Sequence, residues 1–481
     1  MTELLKDKKQ LLVNIALTLC YAIFTFFIVL HHELWVDEVQ AWQIAKYVSL
    51  GELFRQLIDE GHPALFYLIL MPFAKLNFSI FTVKIICWFS TVSGVFLLLQ
   101  FSPFKWWCRL AIILSAGFLY FFPVIARSYS LLPPLIFITA ILYKKRKEMP
   151  VCYALSVFLI SQLHIIMLGF TSLLALFFGI ETKKENKINK RTITAFSLMC
   201  VGIFYYFILL IGTMLNNKEI GRAINTDTVL IKKIIVEFFA NTINDMSAVI
   251  IPLISVVLGI YFLYLIVLLY KKEKKIFWIV LLSVAFQLFL YATLYPMFVY
   301  GTRIFTAYLI LIFGYWIVLN QNENKNDIKL NIFLSIFFLI STYNGLINCI
   351  TDIKYPYSGS KQMAEYIKNN IDTNSVILYQ NPNIMLPLIY YLSDYEMIYS
   401  PYGEKVKYIV WDQRLNKLMP TSSWTKFLTR FQNENPETKD KDIYILQVKA
   451  FYTPVENTEI IFVSEEYKAN MESYVLMKLQ R

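Results

Sequence analysis

Two adjacent acids, Asp37 and Glu38, stand in the stretch "HHELWVDEVQAWQIAKYVSLGELF", which begins at His31. Trp35 and Trp42 flank them just after a long apolar run. A carboxylate in that setting can serve as a base toward an acceptor hydroxyl, or can ligate a divalent metal. Adjacent side chains on a helix point about 100° apart, so this pair does not share one proton. One acid can face a cavity while the other caps the following helix, where the dipole and the unpaired N–H groups favour a negative charge. His62, followed by Pro63, opens another apolar segment and is open to a capping or interfacial role. His164 lies between two short apolar runs, where a hydrogen bond between helices is the alternative to a site. Arg127, in "FPVIARSYSLLPP", and Arg303, in "YPMFVYGTRIFTAY", stand at expected helix ends with tyrosine neighbours. A guanidinium beside apolar walls suits a phosphate, because its planar donors match phosphate oxygens. The alternative for each is snorkelling to a lipid headgroup.

The elements that carry these residues follow from composition. The chain has 481 residues, of which 57% are hydrophobic and only 16% charged. A soluble protein carries about 25% charged residues. The fold class expected is a polytopic, all-α membrane domain with a small C-terminal α/β domain. A net charge of +11 raises nucleic acid as a partner. The Lys and Arg residues nevertheless fall in short clusters between apolar runs, the pattern of the positive-inside rule, so nucleic acid is excluded. The six cysteines have no CxxC or ligand-like spacing, and no disulfide framework or zinc site is expected.

Apolar runs of spanning length fall near 11–30, 79–100, 107–126, 129–143, 150–164, 165–181, 192–215, 248–270, 276–294, 303–320 and 329–350, about 11 in all. With the N-terminus in the cytoplasm, "KDKK", "FKWWCR", "YKKRKE", "ETKKENKINKR", "YKKEKK" and "NENKNDIK" all become cytoplasmic. The first run lacks a cleavage site and reads as a retained helix. The segment 62–76, broken by Pro72, is too short to span and reads as re-entrant or interfacial. It belongs to a first outer loop over 31–78. There Glu38 to Tyr47 and Glu52 to Asp59 form amphipathic helices, with Trp35, Trp42 and Phe54 as interface anchors. A second long outer loop covers 216–247 and contains "TVLIKKIIVEFFANTI". The transmembrane domain is thus 1–351. Residues 352–481 alternate as a soluble α/β domain does and lie outside. Its expected strands are "SVILYQ", "VKYIVW", "DIYILQVK", "EIIFVS" and "SYVLMKL". "GSKQMAEYIKNNI" and "SSWTKFLTRF" are expected as helices.

This topology brings Asp37, Glu38, Glu60, Arg127, Arg303 and all four histidines (His31, His32, His62 and His164) to one membrane face. No P-loop, GxGxxG, HExxH or GxSxG occurs in a credible context. A transferase acting at that face therefore needs an activated group delivered by the membrane.

The stretch "WVDEVQAW", followed by "EGHPALFYLILMPF", resembles the first outer loop of integral membrane glycosyltransferases of the GT-C fold. "ARSYSL" at 126–131 resembles their outer Arg-Tyr segment. "YGTRIFTAYLILIFGYWIV" resembles the late Arg-bearing helix of bacterial members related to protein mannosyltransferases and to the lipid A aminoarabinose transferase. Two departures stand out: Ile304 follows the Arg where those enzymes often have His, and His62-Pro63-Ala64 replaces their usual His-Pro-Pro.

The resemblance implies a sugar donor on a polyprenyl phosphate and a cell-envelope glycan, lipid or protein as acceptor. It implies transfer with inversion in the bacterial plasma membrane, amid membrane lipids. It makes Asp37 the base, with Glu38 as auxiliary acid, and leaves a divalent metal at this pair open. Arg127 and Arg303 would contact the donor phosphate, and His62 and His164 would line the cavity. Two other readings are a transporter or flippase of lipid-linked glycans and a non-catalytic partner in surface-glycan assembly. A transporter calls for paired halves and helices broken at mid-membrane depth, which the ionisable residues at one face disfavour.

Overall fold

The computed structural model describes residues 8–60, 62–220, 236–240, 242, 251–293, 301–321, 327–399, 405–409, 421–465 and 472–480. The chain is mostly helical and forms two compact units. The first comprises residues 1–30, 60–66 and 81–351; the second comprises 31–59, 67–80 and 352–481. The helices of the expected first outer loop are therefore built into the same unit as the C-terminal sheet.

In the first unit, eight helices among the described residues are long and apolar enough to cross a membrane. The protein is a multi-pass membrane protein on this measure. Of the eleven apolar runs, those near 107–126, 129–143 and 150–164 form shorter elements. The run near 107–126 makes a helix only over Trp106–Ile113 and then a π-turn over Gly117–Phe121. Helices Leu132–Lys144 and Pro150–Ser161 are 13 and 12 residues long. At 1.5 Å per residue they reach roughly 20 Å, short of a ~30 Å hydrocarbon layer. The helix containing Arg303, Gly301–Leu319, runs through the bundle core, with 94% of its apolar window buried. The other spanning helices keep an exposed apolar stripe, with Ile23, Phe204 and Leu253 open, as a lipid-facing surface requires. Gly94 lets helix Phe81–Phe101 approach the start of Leu132–Lys144 closely. A Cβ there would lie 3.0 Å from Pro133 Cβ.

Residues 216–220, expected to open the second long loop, continue helix Lys190–Ile220 instead. The amphipathic stretch expected at 228–243 lies largely outside the described residues, of which 236–240 are helical.

The second unit is a three-layer α/β structure. Strands β1 (Val376–Tyr379), β2 (Glu396–Tyr399), β3 (Ile443–Val448), β4 (Thr458–Val463) and β5 (Tyr474–Leu479) form one sheet in the order β2-β1-β3-β5-β4. β1 pairs in parallel with β2 and β3, with Val376 opposite both Glu396 and Ile443. β5 runs antiparallel to β3 and β4. β1 and β3 are buried throughout, which explains their unbroken apolar runs. Met363, Ile367, Met385 and Leu388 cover one face, from helices Ser360–Asn370 and Pro382–Tyr391. Trp424, Phe427 and Phe431 of Thr421–Glu434 cover the other. Four of the five expected strands match this sheet. Over the described part of "VKYIVW" there is no strand.

Helix α1 (Val36–Tyr47) carries the acidic pair, and its flanking helix α2 (Leu50–Glu60) follows after a short turn. Almost every residue of α1 from Val36 to Ala45 is buried. Trp42 is 1% exposed and Trp35 7%. These tryptophans are therefore core residues of the second unit, not interface anchors. α1 lacks the amphipathic stripe of a helix lying on a membrane. α2 does have one: Leu53 and Leu57 are buried four residues apart while Leu50 and Phe54 are exposed.

Candidate functional sites

The first cluster lies in the second unit, around the start of α1. His32 follows the first long helix and is fully buried. Its Nδ1 lies 2.8 Å from Asp352 Oδ2 and its Nε2 lies 3.3 Å from Glu38 Oε1. Both ring nitrogens thus face carboxylates. An imidazole that donates to two acceptors carries a proton on each nitrogen, so this geometry favours the charged ring. Burial alone would favour the neutral ring, but the Asp352 and Glu38 charges outweigh it and raise His32 from 6.5 to about 9. The ring also packs on Tyr357, centroid to centroid 4.4 Å.

Glu38 is fully buried in this pairing, whereas Asp37, one residue earlier, is half-buried in the first turn of α1. Neither acid caps the helix through Trp35, whose side chain makes no cap hydrogen bond. The cap comes from far away in sequence. Val36 N–H donates to Glu472 Oε1 over 2.9 Å, and Ser358 Oγ donates to the other oxygen of the same carboxyl. Glu472 precedes β5, and its backbone carbonyl accepts from Gly359 N–H at 2.8 Å. Burial, followed by the negative charges of Asp37 and Glu38, pushes Glu472 up to about 8 against the pull of its two donors. Lower down α1, Gln40 holds residue Ile409 by both amide atoms, with Nε2 to the carbonyl at 3.0 Å and Oε1 from N–H at 2.8 Å.

The sequence leaves a divalent metal open at Asp37 and Glu38, and of these Glu38 is engaged by His32. Among the described residues no group of three or more His, Cys, Asp or Glu is arranged to hold a metal ion.

The second cluster lies in the first unit and gathers His62, Arg127, His164 and Arg303. Arg127 precedes a single 3₁₀ turn, Ser128–Leu131, that leads into the Pro133-Pro134 helix start. That turn points Tyr129 into the core, where it is 2% exposed. Tyr129 Oη lies 2.7 Å from His164 Nε2 and receives Arg303 Nε at 2.9 Å. His164 caps the next 3₁₀ turn: its Nδ1 accepts from Ile166 N–H at 3.2 Å. Nδ1 therefore carries no proton, and Nε2–H donates to Tyr129. The Tyr129 oxygen thus accepts twice, and its own O–H points away from both donors. His62 packs against His164 at 4.9 Å between ring centroids, and its Nε2 lies 3.5 Å from Arg127 Nη2. Arg127 and Arg303 are both half-buried. Two guanidinium groups within a largely apolar bundle, with two imidazoles and a phenol between them, can hold a phosphate or another compact anion.

Of the six site residues named from sequence, four meet in this cluster and two, Asp37 and Glu38, stand in the other. Asp352, Glu472 and Tyr129 were not singled out. Asp352 ends the last apolar segment and Tyr129 stands beside Arg127, so position could have raised both. Nothing local in the sequence marks Glu472.

No protein-family model matches the chain, and no curated protein matches it.

Proposed function

We propose that the protein is a membrane glycosyltransferase of GT-C type that takes a sugar from a polyprenyl-phosphate donor and passes it to a cell-envelope acceptor at the outer face of the plasma membrane. The observation that carries the reading is the meeting of His62, Arg127, His164 and Arg303, four residues from separate segments, around Tyr129 in the membrane-helix unit. In this reading Arg127 and Arg303 bind the donor phosphate, and Asp37 of the second unit is the base. The acceptor oxygen attacks the anomeric carbon as its proton passes to the Asp37 carboxylate. The bond from that carbon to the phosphate oxygen breaks, and polyprenyl phosphate leaves with the electron pair. The configuration inverts because one displacement occurs. The leaving group is already an anion, so fixed cations stabilise it without a general acid.

Glu38 has a different task. Locked to His32, it fixes the first turn of α1 and so the direction of Asp37. The test uses the purified full chain in proteoliposomes containing a panel of polyprenyl-phospho-sugars, with a bacterial cell-envelope extract as the source of acceptor hydroxyls. The wild type is expected to release polyprenyl phosphate from one of them. Asp37→Asn should lower that rate by roughly 10²–10⁴-fold with normal folding. Wild-type release by Asp37→Asn removes Asp37 from its role, and no release from any donor removes the transferase reading.

A further inference from the structure

The second unit holds a cleft of about 690 Å³ away from the acidic cluster, at the other end of α1. It falls within the size of small-ligand sites, roughly 300–1,000 Å³. Its walls come from the last turn of α1, the residues Ser79 and Ile80, helices Ser360–Asn370 and Pro382–Tyr391, strand β2 and the segment 405–407.

Two residue types dominate the lining. Lys46, Lys368, Lys405 and Lys407 supply positive charge, and no Asp or Glu lines the cleft among the described residues. Lys405 shares its charge with Glu396, 3.4 Å away. Tyr47 presents an open ring, 43% exposed. Lys46 Nζ and Lys407 Nζ lie 5.6 and 5.1 Å from its centroid. Two ammonium groups over one partly exposed aromatic ring suit a ligand that joins a negative charge to an apolar C–H surface. The wall also carries the buried side chain of Gln43, 4% exposed, whose Oε1 has no hydrogen-bond partner among the described residues. A buried amide oxygen left without a donor is destabilising, and a ligand hydroxyl would relieve it.

We infer that this cleft binds an anionic saccharide, with a sugar ring on Tyr47, its carboxylate or phosphate held by Lys46 and Lys407, and a hydroxyl donating to Gln43. The binding stands without the transferase reading; that the saccharide is the acceptor rests on it.

The full chain in phosphatidylcholine nanodiscs is titrated calorimetrically with hexagalacturonate, with phosphorylated maltohexaose, with neutral maltohexaose and with short-chain phosphatidylglycerol. At least one anionic oligosaccharide should bind saturably, more weakly as salt rises, and at least tenfold more tightly than maltohexaose. Lys46→Ala/Lys407→Ala should weaken it roughly tenfold, and Tyr47→Ala should weaken the anionic and neutral sugars alike. Failure of both anionic sugars, equal binding of the neutral one, tighter binding of the lipid, or an unchanged double variant each overturns the proposal. Asp37→Asn, which leaves this cleft intact, should bind as the wild type does. Binding by that variant without transfer by the wild type would count against the transferase reading alone.

Discussion

His32 and His164 are buried to nearly the same degree, 2% and 3% exposed, yet their partners favour opposite protonation states. His32 lies between two carboxylates, which favour its charged form. His164 lies between a backbone N–H and a phenol and is neutral. Burial sets the stakes in each place, but the partners decide the charge. The comparison extends to the regions around them. The acidic cluster of the second unit is an ion-paired frame that fixes α1, and the basic cluster of the first unit gathers two guanidinium groups around a phenol and two imidazoles.

The sharpest way to break this comparison is to delete each ring in turn. His32→Ala leaves Glu38 and Asp352 buried without their cation and should destabilise the second unit by roughly 3–5 kcal/mol. His164→Ala removes neutral hydrogen bonds and should cost about 1–3 kcal/mol. Thermal unfolding in micelles, followed by amide exchange over α1, reads the difference. Equal losses would mean that His32 is not a buried cation. Next in size is Tyr129→Phe, which strands the Nε2–H of His164 and the Nε–H of Arg303, at about 1–3 kcal/mol. In the proposed reaction it should raise the donor KM several-fold, because the Arg303 head loses its anchor.

These partnerships divide sharply in how far they can be read from sequence. Membrane helices were legible from run length, and β1, β3, β4 and β5 from β-rich apolar runs. β2 was not, because "EMIY" is four residues long and opens on an acid. Helix Pro382–Tyr391 was hidden by Pro387 within it and by its start at Asn381, whose φ of 65° lies in the left-handed region. The acidic pair was visible as chemistry, yet the inequality of its members depends on contacts that no local pattern encodes. His32 and Asp352 are 320 positions apart, and Val36 and Glu472 are 436 apart. The basic cluster was more legible, because ionisable residues inside long apolar runs are few and stand out singly.

Titration gives a smaller effect with a definite sign. His32 is raised from 6.5 to about 9, so the stability it contributes is complete below pH 6.5 and is lost as pH rises through 9. Glu472 is raised from 4.5 to about 8, so the fold favours its protonated form, and that stability is lost between pH 4.5 and 8. Both slopes have the same sign: the second unit should weaken as pH climbs from 5 to 9. Glu472→Gln, which keeps an oxygen for Val36 N–H, should flatten the part of the profile below pH 8 and leave the His32 part. An unchanged profile in that variant would show that Glu472 does not titrate with folding.

In the proposed transfer Asp37 is the acceptor base, and Arg127 and Arg303 hold the donor phosphate. The most direct measurement is steady-state transfer from a polyprenyl-phospho-sugar by the purified chain, comparing Asp37→Asn with Arg303→Ala. The account predicts that Asp37→Asn loses kcat by at least a hundredfold with the donor KM little changed, and that Arg303→Ala raises the donor KM by tenfold or more. An Asp37→Asn enzyme with wild-type kcat, or an Arg303→Ala enzyme with wild-type donor KM and kcat, would contradict it.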